Sequence, residues 1–271
     1  MKVLILAVIA LAAVSQAAID PSKIKPVFQT VTPLIPAITP KVVGGQEADP
    51  HGVPFQVAVE NNRGGFCGGS IIGKTLVLTA AHCVDSATWV DVTAGAHRIF
   101  ENEPTQQKIR SSKIVVHKDW NTSNLANDIA LVHLSSELNL DNTARIVDLN
   151  QDTSTSLVGV QAIVSGWGRY SDGSGALSQW LRYGVSNIMS KQDCQRFFGS
   201  IITDNHVCLD GSKGVGACNG DSGGPLSIAQ NDNPLQVGLV SFGSGAGCEK
   251  GYPTVYTNVA RYSDWIAQNS N

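Results

Sequence analysis

Apolar and polar residues alternate in three different textures along this chain. Residues 3 to 14, VLILAVIALAAV, form an unbroken apolar run behind a single basic Lys2. From Ala18 to Lys41 apolar residues are repeatedly interrupted by proline. After Lys41 the chain becomes a succession of short apolar stretches broken by glycine and polar turns. The stretches Val53 to Val59, Ser70 to Leu78, Ile114 to His117, Ile129 to Leu134, Val158 to Ser165, Val237 to Ser241 and Thr254 to Thr257 are predicted as strands. Asn258 to Gln268 carries Val259, Tyr262, Trp265 and Ile266 near helical spacing, which predicts one closing amphipathic helix. Many short strands with one terminal helix indicate an all-β pair of barrels.

The first apolar run is shorter than the roughly 18 residues that a membrane-spanning helix needs. It is followed by Ser15-Gln16-Ala17, with small residues one and three places before a cut, so residues 1–17 read as a secretory signal peptide. Between residues 18 and 41 lie Pro21, Pro26, Pro33, Pro36 and Pro40, five of the eleven prolines in the chain. Proline removes a backbone donor and blocks helix and central strand, so this segment is an extended connector. It holds no cysteine that could tether it after a cut. Lys41 stands at its end, in TPKVVGGQ.

Composition narrows the partners. The 271 residues carry a formal charge of -3, and from Val42 onward 15 Lys and Arg face 21 Asp and Glu. No basic run is present, which disfavours nucleic acid, because phosphate binding needs clustered positive charge. No stretch after the signal would hold a membrane. Six cysteines, Cys67, Cys83, Cys194, Cys208, Cys218 and Cys248, suggest three disulfides in an oxidising compartment, with fifteen pairings open. No two of them lie two to four positions apart, which argues against zinc.

Three short stretches carry candidate chemistry. Gly220-Asp221-Ser222-Gly223-Gly224-Pro225 sets a serine among glycines that let a backbone approach a ligand, so the amides of Gly220 and Ser222 can converge on a carbonyl oxygen. Thr79-Ala80-Ala81-His82-Cys83 ends a strand-like run with an imidazole beside a cysteine, a candidate general base. Asn127-Asp128-Ile129-Ala130-Leu131 puts a carboxylate at the head of an apolar strand, where burial demands a partner. Each has an ordinary structural alternative: an exposed serine turn, a polar histidine, an edge or capping aspartate. Together they supply a nucleophile, a base and an orienting acid, in the chain order that chymotrypsin uses.

With Val42-Val43-Gly44-Gly45, Leu78 to Cys83, Asp128 to Leu131, Ser165-Gly166-Trp167-Gly168, Gly220 to Pro225 and Ser241-Phe242-Gly243, the chain resembles a secreted chymotrypsin-fold serine endopeptidase of the trypsin superfamily over residues 42 to 271. The resemblance implies two six-stranded antiparallel β-barrels, about 42–150 and 155–257, a C-terminal helix at 258–268, and an active site between the barrels. By position His82 resembles the general base, Asp128 the orienting acid and Ser222 the nucleophile, with Gly220 and Ser222 giving the oxyanion-hole amides. The implied disulfides are Cys67 with Cys83, Cys194 with Cys208, and Cys218 with Cys248. Residues 18–41 become an activation propeptide: a cut after Lys41 frees the Val42 ammonium, which turns inward to pair with Asp221.

The family places the base of the substrate pocket at Gly216 and Ala217, where trypsin-like members carry aspartate. A neutral floor disfavours Lys and Arg, whose charge would be buried unpaired. A separate trypsin-like protease is therefore the expected activator. The walls resemble Ser241, Phe242 and Gly243 on one side and the Pro253 to Val255 stretch on the other. Gly243 keeps the entrance open as in chymotrypsins, whereas Thr254 resembles an elastase feature. The open entrance favours large apolar P1 residues; the alternative is a broad or elastase-like specificity that extends to collagen degradation. The segment Ser241 to Pro253 is also similar to arthropod digestive chymotrypsins and the brachyurin-type serine collagenases. Because neither His82 nor Ser222 is missing, a catalytically silent binding homologue is the lesser alternative. Ala96 replaces the glutamate that opens the vertebrate calcium loop, so neither a metal nor another cofactor is expected, although Glu101 and Glu103 lie close by. Expected partners are protein or peptide substrates and protein protease inhibitors, and the expected location is extracellular, such as a gut lumen. Asn121-Thr122-Ser123 is an N-glycosylation sequon.

Overall fold

The computed structural model of the chain describes residues 45–231 and 233–271. The strands in chain order are β1 (Gln46–Glu47), β2 (Gln56–Asn61), β3 (Phe66–Gly73), β4 (Leu76–Thr79), β5 (Val90–Ala94), β6 (Gln107–Val116), β7 (Ala130–Leu134), β8 (Asp148–Leu149), β9 (Gln161–Gly166), β10 (Arg182–Met189), β11 (His206–Leu209), β12 (Pro225–Gln230), β13 (Asn233–Phe242) and β14 (Thr254–Asn258). Three short helices accompany them: α1 (Ala81–Val84), α2 (Lys191–Phe198) and α3 (Ser263–Asn269).

Strands β2-β3-β4-β7-β6-β5 close a six-stranded antiparallel barrel. A second ring of six runs β9-β10-β11-β14-β13-β12 and returns to β9, again antiparallel throughout. Closure removes the free edges on which open sheets aggregate. β1 lies on β10, and β8 pairs in parallel with β13, so both are additions to the second ring. The expected double-barrel fold with a short terminal helix is thus the observed one.

Each barrel buries its own core. Val57, Ile71, Leu78, Val92, Ile129 and Leu131 fill the first, and Val164, Leu209, Leu226, Val237 and Tyr256 the second. The terminal segment follows the second barrel in sequence, yet Val259, Tyr262 and Ile266 pack into the core of the first. A buried polar contact also joins the two, with the Ser165 hydroxyl donating to Gln56 Oε1 at 2.7 Å. These contacts hold the barrels against each other where the candidate site lies.

Several local expectations change. Ser70 to Leu78 reads as one strand but forms a hairpin, β3 and β4, with its turn at Lys74-Thr75 between the paired Gly73 and Leu76. The closing helix begins one turn later than its apolar spacing suggests, because Val259–Tyr262 is a 3-10 turn ahead of α3. Helix α2 has no counterpart among the expected elements. Its N-terminus is capped by Ser190, whose hydroxyl accepts from the Asp193 amide, and Gly199 at φ 67° ends it. Strands β5, β10, β11 and β12 were also not expected. In β10 buried and more exposed positions alternate, RYGVSNIM, but glycine and serine dilute the apolar signal. Among the described residues no helix is long and apolar enough to cross a membrane.

Candidate active site

His82 sits in α1, directly after β4, and Cys83 beside it is bonded to Cys67 of β3. The disulfide and the short helix fix the imidazole at the mouth between the barrels. Asp128 arrives from the opposite direction, at the end of a loop in which Leu125 and Asn127 adopt φ of 56° and 57°. Such left-handed backbone is tolerated by asparagine better than by most residues. Asn127 is held there by its own side chain, which donates to the Asp119 carbonyl at 2.8 Å and accepts from the Tyr262 hydroxyl at 3.0 Å.

Asp128 is buried, and its carboxylate is fully engaged. Oδ1 accepts from the His82 amide at 3.0 Å, and Oδ2 accepts from His82 Nδ1 at 2.8 Å and from the Ser241 hydroxyl at 2.6 Å. An ionised carboxylate only accepts, so Nδ1 carries the proton and the Nε2 lone pair is left free. The second barrel grips the backbone too: the Thr257 hydroxyl donates to the Asp128 carbonyl at 2.8 Å. Ser241, Thr257, Asn127 and Tyr262 are therefore part of this arrangement, and none of the last three was legible as a site residue from sequence.

The Ser222 backbone and the imidazole share a neighbour, the sulfur of Cys83. Cys83 Sγ is 3.8 Å from His82 Nε2 and 3.5 Å from the Ser222 carbonyl oxygen. That carbonyl accepts from the Gly68 amide at 2.7 Å, and the Gly223 amide donates to Val240 at 2.8 Å, so the backbone on both sides of the hydroxyl is pinned. Gly220 has φ 100°, a conformation that a side chain would resist. Among the described residues the amides of Gly220 and Ser222 have no acceptor, whereas the Asp221 amide between them donates to Cys218 at 2.9 Å.

Asp221 points away from the hydroxyl into the protein. Its Oδ1 accepts from the Gly168 amide at 2.7 Å and its Oδ2 from the Cys218 amide at 2.9 Å. A Cβ on Gly166 would stand 2.1 Å from Asp221 Oδ1, and one on Gly168 would stand 2.5 Å from its Cγ. Both glycines of Ser165-Gly166-Trp167-Gly168 are thus required by the buried carboxylate. Burial pushes the Asp221 carboxyl up to about 6, against the two amides that favour its charge. No cation of the described residues is paired with it. Lys41 and Val42 lie outside the described residues.

The expected pocket residues divide. A Cβ on Gly216 would meet Thr254 Oγ1 at 2.7 Å, and the Ala217 amide donates to that oxygen at 3.3 Å, so threonine caps the floor. Gly243 faces open space. Ser241 and Phe242, expected on the wall, direct their side chains elsewhere. Ser241 bonds Asp128, as above, and so helps to satisfy the buried carboxylate. The Phe242 ring packs edge-on against Phe198 and His206, in a satellite core under α2. Only their backbone remains to form the wall. Cys218–Cys248 ties this wall to the Ser222 segment, and Cys194–Cys208 ties α2 to β11.

Outside the cleft, Glu103 accepts from the His97 and Arg98 amides at 2.7 and 2.9 Å, and Glu101 bonds Arg98 and Gln179. Both carboxylates thus have partners within the protein. The Asn121 side chain is exposed, with Oδ1 accepting from the Ser123 amide at 2.9 Å. A cavity of about 1020 Å³ between Phe55, Leu140, Ile146, Ile228 and Pro234 contains none of the candidate chemistry.

Paired barrels with a histidine and a buried aspartate from one and a glycine-framed serine from the other define a serine endopeptidase. The family model described as Trypsin matches residues 42–266, and the chain belongs to that family. It is 44% identical over 225 residues to brachyurin of Leptuca pugilator, a match covering 83% of this chain and 96% of that protein. Chymotrypsin of Phaedon cochleariae is 37% identical over 281 residues, covering 98% of this chain and 97% of the relative. Chymotrypsin-C of Bos taurus is 35% identical over 252 residues, covering 90% and 91%. A solved structure described as "HL collagenase structure at 1.7A resolution" superposes with a TM-score of 0.76 at 32% identity, covering 84% of this chain and 98% of that one.

Proposed function

We propose that this chain is a secreted zymogen whose activation by a cut after Lys41 yields an endopeptidase selective for large apolar P1 residues. The observation that carries the catalytic reading is the fully engaged Asp128 carboxylate, which fixes the His82 tautomer with Nε2 turned to the cleft. In this reading Nε2 takes the Ser222 proton as Oγ attacks the scissile carbonyl, and the imidazolium formed is stabilised by Asp128. The unoccupied amides of Gly220 and Ser222 donate to the developing oxyanion. The proton then passes to the leaving amine, and water hydrolyses the acyl-enzyme by the same route in reverse.

Specificity is read from the floor and the entrance. Gly216 offers no anion to a basic side chain, and Gly243 leaves the entrance open for an aromatic or branched one. A second reading is a broader or elastase-like P1 choice, and the Thr254 hydroxyl over Gly216 is the observation in its favour. One measurement separates them: kcat/KM of the cut enzyme on peptides varied only at P1. Phe, Tyr, Leu or Met should lead Ala and Val by about tenfold or more, since each methylene in an apolar pocket is worth about 0.8 kcal/mol. Thr254→Gly deepens the floor and should raise the Phe-to-Ala ratio further. A parent enzyme that prefers Ala or Val would assign the elastase-like reading instead.

A further inference from the structure

We propose that Asp172, on the exposed loop 169–177, is a positioning residue that holds the pocket wall 243–248 in place and thereby sets the preference for large over small P1 side chains. The proposal rests on the pocket reading above. Asp172 is joined to the wall by a reciprocal clamp. Its Oδ1 accepts from the Cys248 amide at 2.6 Å, its Oδ2 accepts from the Glu249 amide at 3.3 Å, and its own amide donates to Glu249 Oε2 at 2.7 Å. Hydrogen bonds to a carboxylate are among the stronger ones available to a backbone amide.

The wall has little else to fix its direction. Gly243 and Gly245 have nothing within 4 Å of where a Cβ would stand. The remaining hydrogen bonds of the stretch are local: the Ala246 amide to Ser244 Oγ at 3.1 Å and the Gly247 amide to the Ser244 carbonyl at 3.4 Å. The Cys218–Cys248 bridge fixes one point, and a single point leaves the glycine-rich stretch free to pivot. Gly247 has φ 125°, and a Cβ there would stand 2.4 Å from Asp172 Oδ2, so the wall turns in a glycine conformation where the carboxylate enters.

The clamp is itself footed on the catalytic segment. At one end of its loop the Arg169 amide donates to the Asn219 carbonyl at 2.8 Å. At the other end Leu177 Cδ2 lies 2.5 Å from the place a Gly220 Cβ would take. The loop therefore spans from the oxyanion segment to the wall, with Asp172 at its outer contact. A large P1 side chain runs along the wall and registers its position, whereas a small one meets mainly the floor.

The test is steady-state kinetics of the cut enzyme on the P1 series Ala, Val, Leu and Phe. Asp172→Ala should raise KM for P1 Phe about tenfold, the loss expected for hydrogen bonds to a charged group, with kcat within about twofold. KM for P1 Ala should change less than about twofold. Asp172→Asn keeps a carbonyl oxygen for the Cys248 amide and should recover most of the loss; Glu249→Gln keeps the Asp172 contacts to the wall and should have a small effect. An unchanged Phe-to-Ala ratio in Asp172→Ala, or an equal fall in kcat on every peptide, would overturn the proposal. The parent's own P1 order tests the pocket reading separately, so either can fail while the other stands.

Discussion

Replacing Ser222 with alanine in the cut enzyme will lower kcat on peptide substrates about 10⁶-fold while leaving the protein folded, the scale seen when a serine nucleophile is removed from a template triad. The backbone of this segment is held by the Gly68 amide on the Ser222 carbonyl and by Gly223 on Val240, neither of which involves the hydroxyl. The near-ultraviolet spectrum and thermal midpoint should therefore match the parent. The residue left behind still has the two oxyanion amides, so a small rate above the uncatalysed one is expected. Equal cleavage by variant and parent would remove Ser222 from the mechanism.

The second large effect concerns Asp221. In the uncut chain its carboxyl is buried with amide donors but without a cation among the described residues, and burial moves it from 3.8 to about 6. A raised folded-state value means that the neutral form is favoured. The stability it contributes is complete below about pH 4 and is lost as pH rises through 6, amounting to about 3 kcal/mol at neutral pH. Cutting after Lys41 supplies the Val42 ammonium in the proposed activation, and a paired charge removes that penalty. In that proposal the same pairing orders the backbone around Gly220.

Two observations follow on the Ser222→Ala chain, chosen so that it does not digest itself. The uncut form should lose urea stability between about pH 4 and 6 relative to an added Asp221→Asn change, and the cut form should not. In the active parent, cutting should raise kcat/KM by about 10² to 10⁴, the equivalent of about 3–5 kcal/mol for an uncompensated buried charge. Lys41→Gln should block that gain when a trypsin-like protease is the activator. Parallel pH profiles for cut and uncut forms, or full activity before cutting, would contradict this role for Asp221.

How far the sequence carried these conclusions depended on how local each signal was. The catalytic candidates sit in compact stretches, Ala81-His82-Cys83, Asn127-Asp128 and Gly220 to Pro225, whose chemistry is visible within a few positions. The strands that surround them are apolar enough to be read, as in Ile129 to Leu134. What sequence did not reveal depends on distant pairing. Ser241 reaches Asp128 across 113 positions and Thr257 across 129, and nothing near either hydroxyl announces its acceptor. The Asp172 clamp spans 76 and 77 positions in a loop of serine and glycine that reads as an ordinary turn.

Other differences between sequence pattern and structure are local. The run Ser70 to Leu78 hides a hairpin because its turn is only two residues long, and tertiary closure of the barrel decides where it bends. Helix α2 is short, but Cys194, Phe197 and Phe198 stand at helical spacing, and Ser190 three positions before Asp193 and the terminal Gly199 are capping signals, so these features together could have revealed it. The requirement for glycine at 166 and 168 likewise has a cause that only the fold supplies, the carboxylate of Asp221 lying against both.

The central chemical event is the covalent step at Ser222. Rapid mixing of the cut enzyme with a chromogenic ester of an aromatic P1 residue should give a burst of leaving group equivalent to one per chain, and acid trapping followed by peptide mapping should place the acyl group on Ser222. A burst that persists in Ser222→Ala, or an acyl group mapped to another residue, would contradict it.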